Sequence, residues 1–399
     1  MHLFRSLLTG MLIGLATMSF AAAAEHGRTA GQDATAEDKA YSTTPRTVGA
    51  RPKRIAFYQG GPHKNYYQYL RAVIVGLMEL GWIEKATIPK YEDSDTEALW
   101  QWLVTHGERS KHLRFLADGF YSADWNAETR IRMRQQVIDR LHDVGDVDLI
   151  IAMGTWAGKD LANDEHSTPT IVMSTSDPVR SGIIRSVEYS GFQHVHARVD
   201  PNRYERQVRL FHDIIGFKKL GVAFEDTPDG RAYAAMDMVE AVAKEKGFEV
   251  VSCHTRSDIA DQSLAAASVR KCFRELVKEV DAIYVTLQGG VSPLTMPDLV
   301  TIANSHRIPT FSQSGSEEVR NGFLLSISRS SFAPVGMFLA ATVAKVLNGA
   351  KPGALSQLFE EKPNIAINLK TAELIGLYLY ADVLAAADEL YHEIGGPGL

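Results

Sequence analysis

Short apolar runs alternate with amphipathic stretches along most of this chain, and that alternation constrains the fold more than any other feature. "RIAFYQGG" (54–61), "HLRFLADGFYS" (112–122), "VDLIIAMG" (147–154) and "TPTIVMSTSDPV" (168–179) read as strands. Between them, "KNYYQYLRAVIVGLMELGW" (64–82) and "AETRIRMRQQVIDRLHDV" (127–144) carry apolar residues at helical spacing. The Trp100–Trp102 region adds a further expected helix. Near-continuous apolar strands alternating with helices imply parallel sheets covered on both faces. After the extended piece "GFQHVHARVDP" (191–201) the alternation restarts, through "KLGVAFED" (219–226), "FEVVSCHT" (248–255), "DAIYVTLQGG" (281–290) and "IPTFSQSGS" (308–316). Two α/β units, each with its own sheet, fit this order better than one long sheet. The strands end in small or polar residues, where open parallel sheets bind ligands. Two such rims facing each other make a cleft.

The N-terminus sets the expected compartment. Arg5, an apolar run from Leu7 to Phe20 and the sequence Ala22-Ala23-Ala24 form a secretory signal peptide (1–24), cut near Ala24, so the mature protein is expected to be soluble and periplasmic. Residues 25–50 lack large apolar groups and read as a disordered leader. The net charge of −6 comes without a basic cluster, which argues against a nucleic-acid partner. Cys253 lies in a strand and Cys272 in the following helix, so they form either a disulfide or two buried thiols.

"IAMGTWAGKD" (151–160) imitates a phosphate loop, but three residues rather than four separate Gly154 from Gly158, and Asp160 follows Lys159. What remains is a strand, a glycine turn and a helix N-terminus with unpaired N–H groups. Gly154, Thr155 and Trp156 are ligand candidates on that ground. Tyr58, Tyr66, Tyr67 and Trp156 offer apolar walls, and Gln59 lies at a strand end. Thr155, Ser174, Thr175 and Ser176 offer hydroxyls, with helix or turn capping as the plainer role. Asp177 before Pro178 fixes a turn. His194-x-His196 puts two imidazoles on one strand, too few for a metal site, and no metal or cofactor is expected. His63 is a loop histidine that is either a ligand contact or without a role.

From residue 170 onward the chain resembles the substrate-binding proteins of ABC transporters with the type I periplasmic-binding fold, in the branch that includes tryptophan- and phenylalanine-binding members. The matching pieces are "PTIVMSTSDPVRSGIIRS", "DAIYVT", "IPTFSQSGSEEVRNGFLLSIS", "VAKVLNGAKPG" and "IAINLKTAELIGL". The resemblance implies two Rossmann-like lobes joined by three crossovers around a ligand cleft. Residues 51–177 with 331–350 make the first lobe, 198–325 with 355–395 the second, and 178–197, 326–330 and 351–354 the crossovers. Amino-acid-binding members tend to place an acid after the strand that here reads "DAIYVT", to pair with the ligand ammonium; this chain has Gln288. Glu225 or Asp226 are the substitutes, Gln313 and Ser314 further second-lobe candidates, and Arg329 a crossover candidate.

The function this implies is a monomeric solute receptor that captures an amino-acid-like, carboxylate or aromatic compound and hands it to an ABC permease. A ligand sensor feeding a membrane histidine kinase would need the same cleft. An exported α/β enzyme is the weaker alternative: there is no G-x-S-x-G elbow and no H-E-x-x-H pair.

Overall fold

The computed structural model describes residues 41–46, 51–92, 94–328 and 331–395. The expected signal peptide and Arg329 lie outside these residues. In chain order the first lobe contains β1 (Lys53–Gln59), α1 (Lys64–Glu79), α2 (Thr96–Gly107), β2 (Leu113–Ser122), α3 (Ala127–Asp139), β3 (Leu149–Met153), α4 (Gly154–Leu161), β4 (Thr170–Met173) and β5 (Val195–Ala197). Its sheet runs β2-β1-β3-β4-β5, all parallel. β3 and β4 are buried along their whole length, because helices cover both faces.

The second lobe continues with α5 (Arg203–Ile215), β6 (Lys219–Phe224), α6 (Pro228–Tyr233), α7 (Met236–Lys246), β7 (Glu249–His254), α8 (Gln262–Leu276), β8 (Ala282–Val285), α9 (Met296–Ser305), β9 (Thr310–Ser312), α10 (Ser316–Arg320) and β10 (Leu325–Ser328). Helix α11 (Ala333–Leu347) returns to the first lobe. β11 (Asn364–Asn368), α12 (Leu369–Ile375), α13 (Ala381–Ala385) and β12 (Glu389–Tyr391) complete the second. That sheet runs β12-β11-β10-β9-β8-β6-β7. It departs from all-parallel pairing once: β11 lies antiparallel to β10, with Leu325 opposite Ile367.

Helix α11 packs on α1 through small residues. A Cβ on Gly336 would meet the Ala72 side chain at 2.4 Å, and one on Gly76 would meet that of Ala340 at 2.6 Å. The two backbones therefore approach closely, which fixes a segment distant in sequence onto the first lobe.

Three expected boundaries shift. Residues 178–197, read as a crossover, stay with the first lobe, because β5 pairs with β4 as its fifth strand. The chain crosses after Ala197. Residues 351–354 also stay on the first lobe, where Gly353 N–H donates to the Gln193 carbonyl at 3.0 Å. The return crossing comes after Phe359 and runs beside the outgoing one. Val199 N–H donates to Gln357 O at 2.7 Å, and Phe359 N–H donates to Val199 O at 2.9 Å. Each crossing thereby satisfies the other's backbone groups. Residues 41–46 of the expected disordered leader are docked instead. The Asn348 amide donates to Ser42 O at 2.7 Å and Thr44 O at 2.9 Å, and the Trp82 indole donates to Thr43 O at 2.7 Å.

Cys253 and Cys272 form a disulfide that ties β7 to α8, with Cα atoms 5.5 Å apart. It closes a short loop, so its loss should cost about 3 kcal/mol of stability. Urea unfolding of the Cys253→Ser/Cys272→Ser protein is expected to show a lower midpoint than oxidised wild type; equal midpoints would contradict this.

Candidate functional site

A cavity of about 960 Å³ lies between the lobes, at the carboxyl ends of both sets of parallel strands. The first lobe supplies an aromatic wall. The Trp125 and Trp156 rings meet edge to face at 5.4 Å, and Tyr66 stands 6.1 Å from Trp125. Trp125 was not anticipated from the sequence. It follows β2 on a loop where Asp124 and Trp125 both adopt positive φ, 52° and 54°. A non-glycine residue there is uncommon. The glycines of "YQGG" make room for it: a Cβ on Gly61 would sit 2.5 Å from the indole. The indole N–H donates to Pro62 O at 2.9 Å.

The turn from β3 into α4 accounts for "IAMGTWAGKD" residue by residue. Gly154 has φ +86°, and a Cβ there would fall 1.8 Å from the Tyr66 hydroxyl oxygen. Only glycine fits. Thr155 and Trp156 follow it and line the cavity, and no side chain caps the helix start. The Arg130 guanidinium lies 4.6 Å over the Trp156 ring and donates to Asp160 Oδ1 at 2.8 Å. Lys159 points the other way, to Asp229 of the second lobe at 2.8 Å.

Eight of the expected ligand residues line the cavity: Tyr66, Thr155, Trp156, Ser174, Thr175, Ser176, Gln288 and Ser314. Ser174 has φ +58°. Thr175 is 7% exposed, and its hydroxyl is buried without a hydrogen-bond partner. Gln288 has both ends of its amide engaged within its own lobe. Its Oε1 accepts from Thr255 at 2.7 Å, and its Nε2 donates to Ala223 O at 2.8 Å and to Thr286 at 3.0 Å.

Tyr58, Gln59, Gly154, Gln313 and Glu225 stand behind the cavity lining. Tyr58 is fully buried and donates to Asp160 at 2.7 Å; burial and the Asp160 charge push its hydroxyl above the usual phenol range. Gln59 Oε1 accepts from Thr96 at 2.7 Å inside the first lobe. Gly154 serves by its backbone. Gln313 donates to Tyr233 O at 2.9 Å and accepts from Leu287 N–H at 2.6 Å, which orients two cavity-lining residues. Glu225 accepts the backbone N–H groups of Ser257 and Asp258 at 3.2 and 3.0 Å. It therefore shapes the turn that presents Asp258 to the cavity.

Asp258 is the second residue the sequence did not single out. It follows β7 at the same rim of the sheet, a position whose signal is only its place after a strand. Burial, followed by the charges of Glu225 and Asp229, pushes its carboxyl up to about 7. Burial and the Asp258 charge in turn push the Tyr66 hydroxyl well above the phenol range, so the two lobes feel each other across the cavity. His63 caps α1 by accepting Asn65 N–H at Nδ1; burial, then the Lys64 charge, lower its pKa to about 4 and keep it neutral. Tyr67 belongs to the core of the first lobe.

The two histidines of His194-x-His196 part company. The His194 ring meets His166 at 4.8 Å, and His196 Nε2 donates to Ser356 O at 2.9 Å. Among the described residues no three His, Cys, Asp or Glu side chains gather as a metal site. Among the described residues four ion pairs cross the cleft: Lys64–Glu317 at 2.6 Å, Lys159–Asp229 at 2.8 Å, Arg130–Asp229 at 4.0 Å, and Arg180–Asp237.

Residues 115–391 match the family described as ABC transporter substrate binding protein. The chain belongs to this family. A tyrosine-binding protein of Clostridioides difficile is 24% identical over 233 residues, 58% of this chain. The match spans 63% of that relative's length. Two solved structures share the fold. One is a conserved domain protein from Vibrio cholerae, 19% identical, TM-score 0.64, covering 85% of this chain and 100% of that one. The other is an ABC domain from Streptococcus pneumonia in complex with L-Trp, 19% identical, TM-score 0.63, covering 84% of this chain and 99% of that one. The architecture is thus that of the type I periplasmic binding proteins, as the resemblance implied.

The close approach at Gly154 gives a direct test. Gly154→Ala adds both a strained φ and a clash with Tyr66, and is expected to cost about 1–3 kcal/mol. Urea unfolding followed by tryptophan fluorescence reads the loss; a wild-type midpoint would contradict the geometry.

Proposed function

We propose that this protein is an exported receptor that closes its two lobes on a small amino-acid-like solute with a flat apolar part and delivers it to an ABC permease. The observation that carries this reading is the cleft. A cavity of about 960 Å³ combines a wall of Trp125, Trp156 and Tyr66 with a buried Thr175 hydroxyl that has no protein partner. A mostly apolar pocket with a few unsatisfied polar groups is the usual form of a small-molecule site. The uncapped start of α4 beside Thr155 suits a carboxylate. The relatives named for tyrosine and L-Trp support the same class of solute. The signal-like N-terminus supports export to the periplasm, where such a receptor would act as a monomer.

The cross-cleft ion pairs support closure as the working motion. Each is partly exposed and so contributes about 0–1 kcal/mol, less at high salt. The closed state is therefore held weakly until a solute adds its own contacts to both lobes.

Mass spectrometry of compounds released from freshly purified, denatured protein tests the reading, together with thermal shift. A released solute should bind again intact and raise the Tm. Thr175→Val and Trp156→Ala should each weaken it by about tenfold or more, the effect of losing one hydrogen bond or one aromatic contact. Turnover of the solute, or no released compound and no shift with any aromatic amino acid, would overturn the proposal.

A further inference from the structure

Three carboxylates gather where the second lobe meets the cleft, and two of them are accounted for. Glu225 receives two backbone N–H groups. Asp229 receives Lys159 at 2.8 Å and faces Arg130 at 4.0 Å. Asp258 is different. Asp258 lines the cavity, and among the described residues no Lys, Arg or His lies within ion-pair distance of its carboxylate. Its side-chain hydrogen-bond contact is the Ser257 hydroxyl, at a long 3.5 Å. A carboxylate held beside two other acids and turned into a closing cleft calls for a cation.

A second, independent feature marks the same cavity as a place for a solute. The Thr175 hydroxyl, on a residue 7% exposed, has no partner and lines the first-lobe side. One lobe thus offers an unpaired hydroxyl and the other an unpaired acid. The amide of Gln288, where an acid would be expected, is engaged within its own lobe. Tyr66 and Tyr233 line the cavity near Asp258, and aromatic faces also favour a cationic group.

We propose that Asp258 is the specificity-determining residue that selects solutes carrying a protonated amine, which pairs with its carboxylate when the lobes close. This rests on the solute-receptor reading above. The amine replaces a proton. The groups that face Asp258 are Glu225, Asp229, Arg130, the Ser257 hydroxyl, Tyr66 and Tyr233, and the acids outweigh Arg130, so that with burial its pKa stands near 7. Below that pH the empty site holds the proton, and binding an ammonium must release it. Affinity should therefore fall about tenfold per pH unit below 7 and level off above it.

The same acid weakens the empty protein. Its folded pKa lies above the unfolded carboxylate value, so the stability gained from holding the proton is full below pH ~4 and is lost as pH rises to about 7. Asp258→Asn should thus give an empty protein with a Tm at pH 8 at or above wild type, while binding amines poorly. A misfolded variant would also bind poorly, but with a Tm below wild type.

The experiment is calorimetric titration of wild type and Asp258→Asn at pH 8 and pH 6. The probes are two matched pairs, L-tryptophan with indole-3-propionate and L-tyrosine with 3-(4-hydroxyphenyl)propionate. Expected are binding of an amine-bearing member to wild type, at least tenfold discrimination against its desamino partner, and proton release at pH 6 seen as a buffer-dependent heat. Asp258→Asn should lose at least tenfold in affinity for the amine and little for the desamino acid. Equal binding of both members of a pair, or an unchanged Asp258→Asn, overturns the assignment. A released compound without an amine in the mass-spectrometric experiment overturns it while leaving the receptor reading intact. Absence of binding by all four probes with no released compound overturns both.

Discussion

The carboxylate of Asp160 is the point on which the ligand wall depends. It accepts from Tyr58 on β1 at 2.7 Å and from Arg130 on α3 at 2.8 Å, and it sits on α4 itself. Three elements are thereby locked at the rim of the first sheet. Arg130, so held, lies over the Trp156 ring, and Trp156 meets Trp125 edge on. A buried charge pair of this kind is weak evidence for added stability, since desolvation offsets much of the attraction. What it gives is geometry: the guanidinium cannot leave without stranding the Asp160 charge, so the indole beneath it keeps its orientation. Lys159, the next residue back on the same helix, carries the link across the cleft to Asp229.

The hinge has its own buried charges. Arg198 and Arg203, on the outgoing crossing and the start of α5, both face Glu361 on the returning one, at 3.9 and 3.6 Å. Arg206 meets Asp200 at 3.1 Å. With the backbone bonds between Val199, Gln357 and Phe359, these contacts make two crossings behave as one strap. Ion pairs across the cleft are partly exposed and weak, whereas Glu361 and its two arginines at the crossings are buried.

Some of the site was readable in the chain because it lies in short continuous segments. Gly154-Thr155-Trp156 and Ser174-Thr175 follow apolar strands directly, and the rim rule places them in the cleft. Tyr58 and Gln59 sit at an equally good strand end yet turn inward, because β1 is a central strand and Asp160 and Thr96 claim their polar atoms. Gln313 and Glu225 likewise support the residues that line the cavity. Trp125 escaped notice because its presentation depends on a positive-φ loop and on two glycines more than sixty residues earlier in the chain. Asp258 escaped because a lone acid after a strand is ordinary until the positions of Glu225, Asp229 and the opposite lobe are known.

The sequence by itself determined the class of fold. Period and run length of apolar residues are local properties, and strand–helix alternation with a restart after residue 191 leaves few arrangements that bury both faces of each sheet. It also placed Cys253 and Cys272 on neighbouring elements. Only the tertiary structure decided where the chain changes lobes, since β5 and the 351–354 turn are held by hydrogen bonds to segments far away in sequence. It alone decided which polar groups remain unsatisfied, because a hydroxyl or carboxylate is available to a solute only after every neighbour in space has taken its partners. For Gln288 those neighbours left nothing over, and for Thr175 and Asp258 they left the groups that face the cleft.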